Sequence, residues 1–196
     1  MPPIPPITKA FMLACVGLFC AFILLPPGLQ NWFELWPLAS GNFMPWQVFS
    51  YAFLHGDVTH LFFNMLGLWM FGSELERVWG EKRYLQLLLA SALAAAAVQL
   101  VFTLLIGSMT PTVGASGALF GLLLSFGMLF PDRTIMPLFP PIPMKAKYFV
   151  ALFGALELLM GLSGSTGIAH FAHLGGMLGA WLLMNYWRNG GGRRRR

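Results

Sequence analysis

Several polar side chains in this chain have the types and spacing that acyl transfer requires. Ser116 could attack a carbonyl carbon once a neutral histidine takes its proton, and the pKa of a free imidazole, about 6.5, suits that step. His173 is a candidate base. The backbone N–H of Ser116 and the side chains of His60 and Asn64 are candidate donors to the oxyanion of a tetrahedral intermediate. This set of residues indicates serine hydrolase chemistry.

The spacing of the polar residues places them on shared helical faces. His60 and Asn64 are four positions apart in "HGDVTHLFFNM", and His170 and His173 are three apart in "GIAHFAHLGG". Each pair therefore occupies one side of a helix. By residue type alone, either His170 or His173 could be the base.

Small residues accompany the serine and the histidines. Gly117 and Gly121 are four apart in "TVGASGALFG", and Gly175 and Gly179 are four apart in the last apolar segment. This spacing lets helix backbones approach closely. We therefore expect the two segments to cross where Ser116 comes within hydrogen-bond reach of His173.

Six apolar segments carry these residues. The chain is 57% hydrophobic and 10% charged, against about 25% charged residues in a typical soluble domain. Membrane-spanning helices need roughly 20 apolar residues, and we predict them near residues 9–25, 58–73, 84–106, 113–130, 147–163 and 168–187. All fourteen prolines lie outside these segments, as expected if proline marks helix ends. The prediction is an all-α, six-helix membrane domain over residues 1–187, followed by a basic tail at 188–196.

The positive charges predict the orientation of this domain. All twelve lysines and arginines lie at the start of the first segment, after the sixth, between segments two and three, or between segment four and the start of segment five. By the positive-inside rule both termini are then cytoplasmic, and the polar residues lie near the outer surface. The net charge of +5 thus reflects topology and contact with membrane lipid, and nucleic acid is not an expected partner.

Three motifs resemble those of the rhomboid family of intramembrane serine proteases, in this order: "HGDVTHLFFNM", "GASG" with the following "ALFG", and "AHLGG". The resemblance covers nearly the whole chain. It implies a six-helix bundle that cuts transmembrane proteins by a Ser–His dyad without a cofactor or metal. Ser116 would be the nucleophile, and His173, the only histidine that fits "HLGG", would be the base.

The resemblance also implies roles for other residues. His60 and Asn64 would lie at the oxyanion hole together with the Ser116 N–H. Four residues would support the site or the fold: Gly114 of "GASG", a structural His55, His170 at the mouth of the site or bound to backbone, and Glu76 in a structural hydrogen bond or ion pair. The expected location is a bacterial plasma (inner) membrane, with the active site facing the periplasm.

Two residues, Gln47 and Glu157, depart from what the family pattern leads one to expect. The first loop of the family often carries a Trp-Arg pair, whereas this chain has Gln47 after Trp46. Glu157 lies inside the fifth segment, where an unpaired carboxylate would be costly. It could be a third member of a triad, but the family works as a dyad, and a hydrogen bond to a neighbour is the expected role.

Three other functions fit parts of the pattern. Four histidines on the predicted outer side could bind zinc or copper, although the chain has no HExxH motif. Polar residues could line the path of a transporter, but they cluster in one outer layer. An inactive rhomboid-like protein that only binds membrane proteins is the third, and that class typically lacks the serine or the histidine.

Overall fold

The computed structural model describes residues 3–137, 141–163 and 169–191. The predicted basic tail is therefore described only up to Gly191, and Arg193 to Arg196 lie outside the described residues. The start of the predicted sixth segment, residue 168, also lies outside them.

The described chain is built almost entirely from helices. The α-helices are α1 (Pro6–Leu24), α2 (Gln47–Ser50), α3 (Val58–Gly67), α4 (Ser73–Ile106), α5 (Ser116–Leu129), α6 (Ala146–Ser163) and α7 (His170–Gly191), and short 3-10 helices lie at Leu29–Trp32, Leu38–Ser40 and Tyr51–Phe53. Two-residue strands, β1 (Thr134–Ile135) and β2 (Met144–Lys145), pair antiparallel between α5 and α6. The predicted all-α class is confirmed, and the β pairing among the described residues is limited to this short pair and an isolated antiparallel bridge between Leu35 and Thr112.

The first helix begins earlier than the sequence predicts. It starts at Pro6 and includes Lys9, both of which were expected before the helix. Proline is tolerated at this position because the first N–H groups of a helix have no partner inside it. The carboxylate of Glu76 meets these groups: it accepts hydrogen bonds from the N–H of Ile7 at 2.9 Å and of Thr8 at 2.7 Å. Glu76 thus lies at the start of α1.

The predicted second and third segments form one nearly continuous helical stretch. A five-residue π-helical turn, Leu68–Gly72, joins α3 to α4. A non-helical connection was expected between residues 73 and 84. In the structure only Gly80 within this stretch has a non-helical backbone (φ 74°, ψ 166°). Only glycine adopts such a conformation readily, so the chain can change direction there without a loop.

Helices α4, α5 and α7 pack against one another through small residues. A Cβ added to Gly176 would lie 1.8 Å from the backbone oxygen of Gly117. One added to Gly121 would lie 2.1 Å from Ser91 Oγ, and one added to Gly179 would lie 2.5 Å from the oxygen of Ala90. Glycine is required at these contacts because the opposing atoms belong to backbone or to buried side chains.

Helix α6 lies at the edge of this core. Its buried residues are Ala146, Phe149 and Val150, all in its first half. Between α3, α5 and α6 lies an apolar cavity of about 590 Å³, whose lining includes Phe63, Leu119 and Phe153. The middle of α6 is therefore more loosely packed than the α4–α5–α7 core, although α6 meets α5 closely at Gly127, where an added Cβ would lie 2.6 Å from Val150 Cγ2.

The first loop is organised around Gln47, which is fully buried. Its Oε1 accepts hydrogen bonds from the N–H of Trp36 at 3.2 Å and of Met44 at 3.1 Å, and its Nε2 donates to the carbonyls of Asn42 and Trp32. A neutral amide can make both kinds of bond, which an arginine cannot. The loop thus has a polar centre without the arginine that the family often carries.

Apolar helices in the described ranges match a membrane environment. Three stretches are long and apolar enough to cross a bilayer: Pro6–Leu24, Val58–Ile106 and Ala146–Ser163. Helix α5 is a shorter apolar helix. Helix α7, predicted as the sixth span, is not among the three, since its first turn carries two histidines and its last turn is polar.

Candidate active site

The first turns of α5 and α7 bring a serine and a histidine together. Ser116 is the first residue of α5, and His173 lies in the first turn of α7. His173 Nε2 is 2.8 Å from Ser116 Oγ. The ring of Phe120, one turn along α5, stacks on the imidazole at 4.3 Å between centroids and 7° between planes. The hydrogen bond and the stacked ring together fix the position of His173.

Gly114 shapes the segment that leads to Ser116. Its φ of 128° is one that side chains disfavour, and a Cβ there would lie 2.7 Å from Nε2 of His60. The Gly114 N–H donates to the carbonyl of Tyr51 at 2.9 Å. A glycine at this position therefore leaves room for the His60 ring beside the serine.

The start of α3 presents His60 to the same space. Asp57 caps this helix, accepting a hydrogen bond from the His60 N–H at 2.8 Å. His60, Phe63, Ser116 and His173 are among the residues that line a cavity of about 510 Å³. This cavity gives the serine hydroxyl access to another molecule.

Asn64 lies one turn deeper in α3 and is buried. Its Nδ2 donates to the His60 carbonyl at 2.8 Å, which uses one of its two N–H donors. Asn64 is not among the described residues that line the cavity. Of the two side chains predicted as oxyanion donors, His60 thus reaches the cavity directly and Asn64 lies beneath it.

His55 supports His60 from outside the cavity. It is buried, and its ring packs edge-on against that of His60 at 5.1 Å between centroids. Burial, reinforced by neighbouring His60, lowers the pKa of His55 to about 4. His55 is therefore neutral at physiological pH.

Glu157 on α6 joins the site. The sequence predicts a hydrogen bond to a neighbour for this carboxylate, and His170 is that neighbour. Glu157 Oε2 lies 2.6 Å from Nδ1 of His170 and 2.8 Å from Nδ1 of His173. The contact with His170 is a hydrogen bond. The contact with His173 has the distance of an ion pair but not the alignment of a linear hydrogen bond. The available signal was the position of Glu157 in an otherwise apolar helix interior.

His170 lies beside the same carboxylate. It was expected at the site mouth or bound to backbone, and in the structure it is buried with its Nδ1 in contact with Glu157. It also lines a separate cavity of about 230 Å³ beside Gln99 and Thr112.

Three of these side chains have the composition of a metal site. Ligand atoms of Glu157, His170 and His173 all lie within 4.8 Å of one another. The contacts of 2.6 and 2.8 Å between them are closer than the separation of about 3.3 Å that 2.0 Å bonds give around tetrahedral zinc. His55 and His60 are not part of this cluster, so the described residues do not form a single four-histidine site.

The pattern of the Rhomboid domain matches residues 42–189. The chain belongs to the rhomboid family. Its match contains every residue of the site, whereas α1 precedes it. Family membership and the apolar helices together identify an integral membrane protein.

Similar rhomboid proteins occur in bacteria and in mitochondria. The chain is 28% identical over 187 residues to the Rhomboid protease GlpG of Yersinia pestis, an alignment that covers 93% of this chain and 62% of GlpG. It is 29% identical over 157 residues to Presenilin-associated rhomboid-like protein A, mitochondrial, of Danio rerio, covering 79% and 40%. It is 39% identical over 94 residues to Rhomboid protein 1, mitochondrial, of Saccharomyces cerevisiae, covering 47% and 27%. The chain thus spans between about a quarter and two thirds of the length of these relatives.

In this rhomboid chain the site geometry is competent for acyl transfer. An imidazole nitrogen lies at hydrogen-bond distance from a half-buried hydroxyl. Helix α5 begins at this serine, so its unpaired N–H groups and the positive end of its dipole lie beside the Ser116 hydroxyl. These are the parts needed to form an alkoxide and to stabilise an oxyanion.

Proposed function

We propose that this protein is an intramembrane serine endopeptidase that cleaves single-span membrane proteins near the outer membrane face. The observation that carries the proposal is the 2.8 Å contact between Ser116 Oγ and His173 Nε2, at the wall of a cavity large enough to admit an extended peptide. Membership of the rhomboid family supports it.

Ser116 and His173 share the proton transfers of this reaction. His173 Nε2 takes the hydroxyl proton while Ser116 Oγ attacks the scissile carbonyl carbon, and the imidazolium then gives that proton to the leaving amine. The Ser116 N–H, His60 and the remaining Asn64 N–H donate hydrogen bonds to the oxyanion. Water, activated by the same histidine, then hydrolyses the acyl ester.

The proposed topology has six spans with both termini in the cytoplasm. The 49-residue stretch Val58–Ile106 would be about 74 Å long as a straight helix, at about 1.5 Å per residue, whereas the hydrocarbon core is about 30 Å thick. The break at Gly80 therefore separates two passes. The positive-inside pattern supports a site near the outer face, and the membrane we propose is a bacterial plasma (inner) membrane with the site facing the periplasm.

The expected substrates are transmembrane helices that unwind easily near their outer end. A peptide bond in a stable helix is shielded, so attack requires an extended segment. The limited room beside Ser116 favours Ala, Gly or Ser before the cut. Gly or Pro downstream weakens the substrate helix by about 1 to 3 kcal/mol. Membrane lipid would surround the enzyme and deliver such substrates.

Two of the other functions make different predictions. A metal site at Glu157, His170 and His173 would make activity sensitive to chelators, whereas the proposed protease is insensitive to them. An inactive membrane-protein binder would retain substrates without cutting them. It would not need the aligned Ser116–His173 pair.

The proposal is tested by incubating the purified protein in detergent with a panel of single-span membrane proteins. We expect cleavage near the outer boundary of at least one, insensitive to chelation and abolished by Ser116→Ala and by His173→Ala. Both variants should keep the wild-type unfolding temperature. Equal cleavage by either variant would overturn the assignment.

A further inference from the structure

Glu157 connects two histidines at the centre of the site. Its Oε2 lies 2.8 Å from His173 Nδ1, and His173 Nε2 lies 2.8 Å from Ser116 Oγ. The same carboxylate oxygen is hydrogen-bonded to His170 Nδ1 at 2.6 Å. The serine and the carboxylate thus contact the two ring nitrogens of a single imidazole.

We propose that Glu157 is a positioning residue for the base of this active site, held in place by His170. The inference rests on the proposed protease function and deepens it. It adds an acidic partner on α6 to a reaction otherwise assigned to a serine and a histidine.

The position of the carboxylate selects a tautomer of His173. A neutral imidazole carries its proton on only one nitrogen. With the negatively charged Oε2 beside Nδ1, the proton is favoured on Nδ1, and the lone pair of Nε2 faces Ser116 Oγ. Only this tautomer can accept the serine proton.

Burial strengthens the electrostatic interaction between the Glu157 carboxylate and His173. The exposed fractions of the Glu157, His173 and His170 side chains are 13%, 10% and 5%. Charges interact more strongly in such surroundings than in water. When the Ser116 proton moves to Nε2, His173 becomes an imidazolium and Oε2 stabilises it. The proton then passes to the leaving amine, and Glu157 stays ionised throughout.

His170 accounts for the orientation of the carboxylate. Oε2 makes its aligned hydrogen bond with His170, and its approach to His173 is bent. His170 therefore fixes Oε2, and the carboxylate acts on His173 mainly through its charge. A contact of this kind should contribute less than the linear bond of a soluble triad.

Three variants separate charge from shape. Glu157→Gln keeps the size and removes the charge, Glu157→Asp keeps the charge on a shorter side chain, and Glu81→Gln makes the same exchange at an exposed position of α4. Loss of charge at a soluble triad aspartate costs about 10⁴-fold in kcat, and here we expect Glu157→Gln to lose about 10- to 100-fold because the contact is bent. KM should change less than about twofold, since substrate binding is unaffected. Glu157→Asp should recover part of the loss, and Glu81→Gln should match the wild type.

A spectroscopic measurement distinguishes positioning from a purely structural role. In ¹⁵N-histidine NMR spectra, assigned with His173→Ala and His170→Ala, wild-type His173 should show a protonated Nδ1 and an unprotonated Nε2. Glu157→Gln should lose this preference, and Glu157→Asp should keep it. The unfolding temperatures of the variants should agree with the wild type.

The outcomes separate this inference from the proposed function. If cleavage depends on Ser116 but Glu157→Gln has wild-type kcat, or the same His173 tautomer as the wild type, the positioning role is wrong and the protease assignment stands. If Glu157→Asp is no better than Glu157→Gln, the charge is not what matters and the inference is also wrong. If Ser116→Ala still cleaves, the proposed function itself fails.

Discussion

The two sides of the candidate site are built in opposite ways. On the α4–α5–α7 side, glycines bring backbones so close that a single added methyl group would overlap the Gly117 carbonyl or Ser91. Near the middle of α6, a Cβ at Gly154 would meet only the side chain of Met177, with Cε at 3.4 Å and Sδ at 3.7 Å, and an apolar cavity of about 590 Å³ separates parts of α3, α5 and α6. The closest contacts on the first side involve backbone atoms, whereas the middle of α6 meets a flexible side chain and a cavity.

The two sides therefore have different roles in the site. The distance between Ser116 and His173 is set by backbone contacts between α5 and α7, which tolerate almost no displacement. The α6 side supplies Glu157 through side-chain contacts alone. Substitutions of glycine by alanine can test this contrast, because the same methyl group is added at each position.

The largest effect is expected from Gly176→Ala. The new Cβ would lie 1.8 Å from the Gly117 oxygen, and a carbonyl of the α5 backbone cannot rotate away. The two helices must separate, and a displacement of about 1 Å can cost about 100-fold in rate. We expect at least that loss of cleavage and a decrease of about 3 kcal/mol in the free energy of unfolding in detergent. Activity within threefold of the wild type would contradict the tight-packing account.

Gly121→Ala should have the next largest effect, and a second substitution should relieve it. The added Cβ would meet Ser91 Oγ at 2.1 Å, Ser91 Cβ at 2.5 Å and the Gly176 oxygen at 2.9 Å. We expect about 1 to 3 kcal/mol of destabilisation. Adding Ser91→Gly removes the two nearest atoms, so the double variant should unfold at a higher temperature than Gly121→Ala alone, though below the wild type. If the destabilisations caused by Gly121→Ala and Ser91→Gly simply add in the double variant, the added methyl group does not clash with Ser91.

Gly67→Ala tests the boundary between the two sides. Its Cβ would lie 2.7 Å from Cδ2 of Leu119, which is the end of a flexible side chain next to the apolar cavity. Leu119 can change rotamer at a cost of about 1 kcal/mol. We expect a small decrease in unfolding temperature with at least half of the cleavage rate retained. A loss as large as that of Gly176→Ala would show that the α3–α5 contact is also rigid.

Gly154→Ala on α6 should have the smallest effect. The added methyl would make an ordinary contact with Met177, and alanine favours a helix over glycine by about 1 kcal/mol. Unchanged cleavage and an equal or slightly higher unfolding temperature are expected. A clear loss of stability would mean that α6 is packed as tightly as α7.

Much of this arrangement could be predicted from sequence because it depends on local spacing. The small residues of the fourth and sixth segments predicted a close crossing, and the structure places Ser116 and His173 at hydrogen-bond distance. The sixth-segment glycine at this crossing is Gly176, whereas Gly175 and Gly179, which the prediction used, pack against α4. The predicted fourth segment, 113–130, agrees with α5 (Ser116–Leu129) except for its first three residues and its last. Such features are predictable because the spacing of small residues within one helix is enough to indicate close helix packing.

The remaining features depend on contacts that spacing does not encode. The approach of Glu157 to His170 and His173 depends on how α6 and α7 lie beside each other, which neither helix specifies alone. Gln47 was noted as a missing arginine, but its role depends on four backbone groups that only the folded loop brings together. Gly80 was read as part of a loop, because a single non-helical residue inside a polar stretch leaves no periodic signal.

The central claim is that His173 activates Ser116, and covalent labelling measures this most directly. The purified protein is treated with a fluorophosphonate, which forms a stable adduct with an activated serine, and the modified residue is located by mass spectrometry. We predict a single adduct at Ser116, no adduct in Ser116→Ala, and a rate at least about 100-fold lower in His173→Ala, since unassisted serine is a poor nucleophile. Equal labelling of Ser116 in the wild type and in His173→Ala, or labelling only at another residue, would contradict the account.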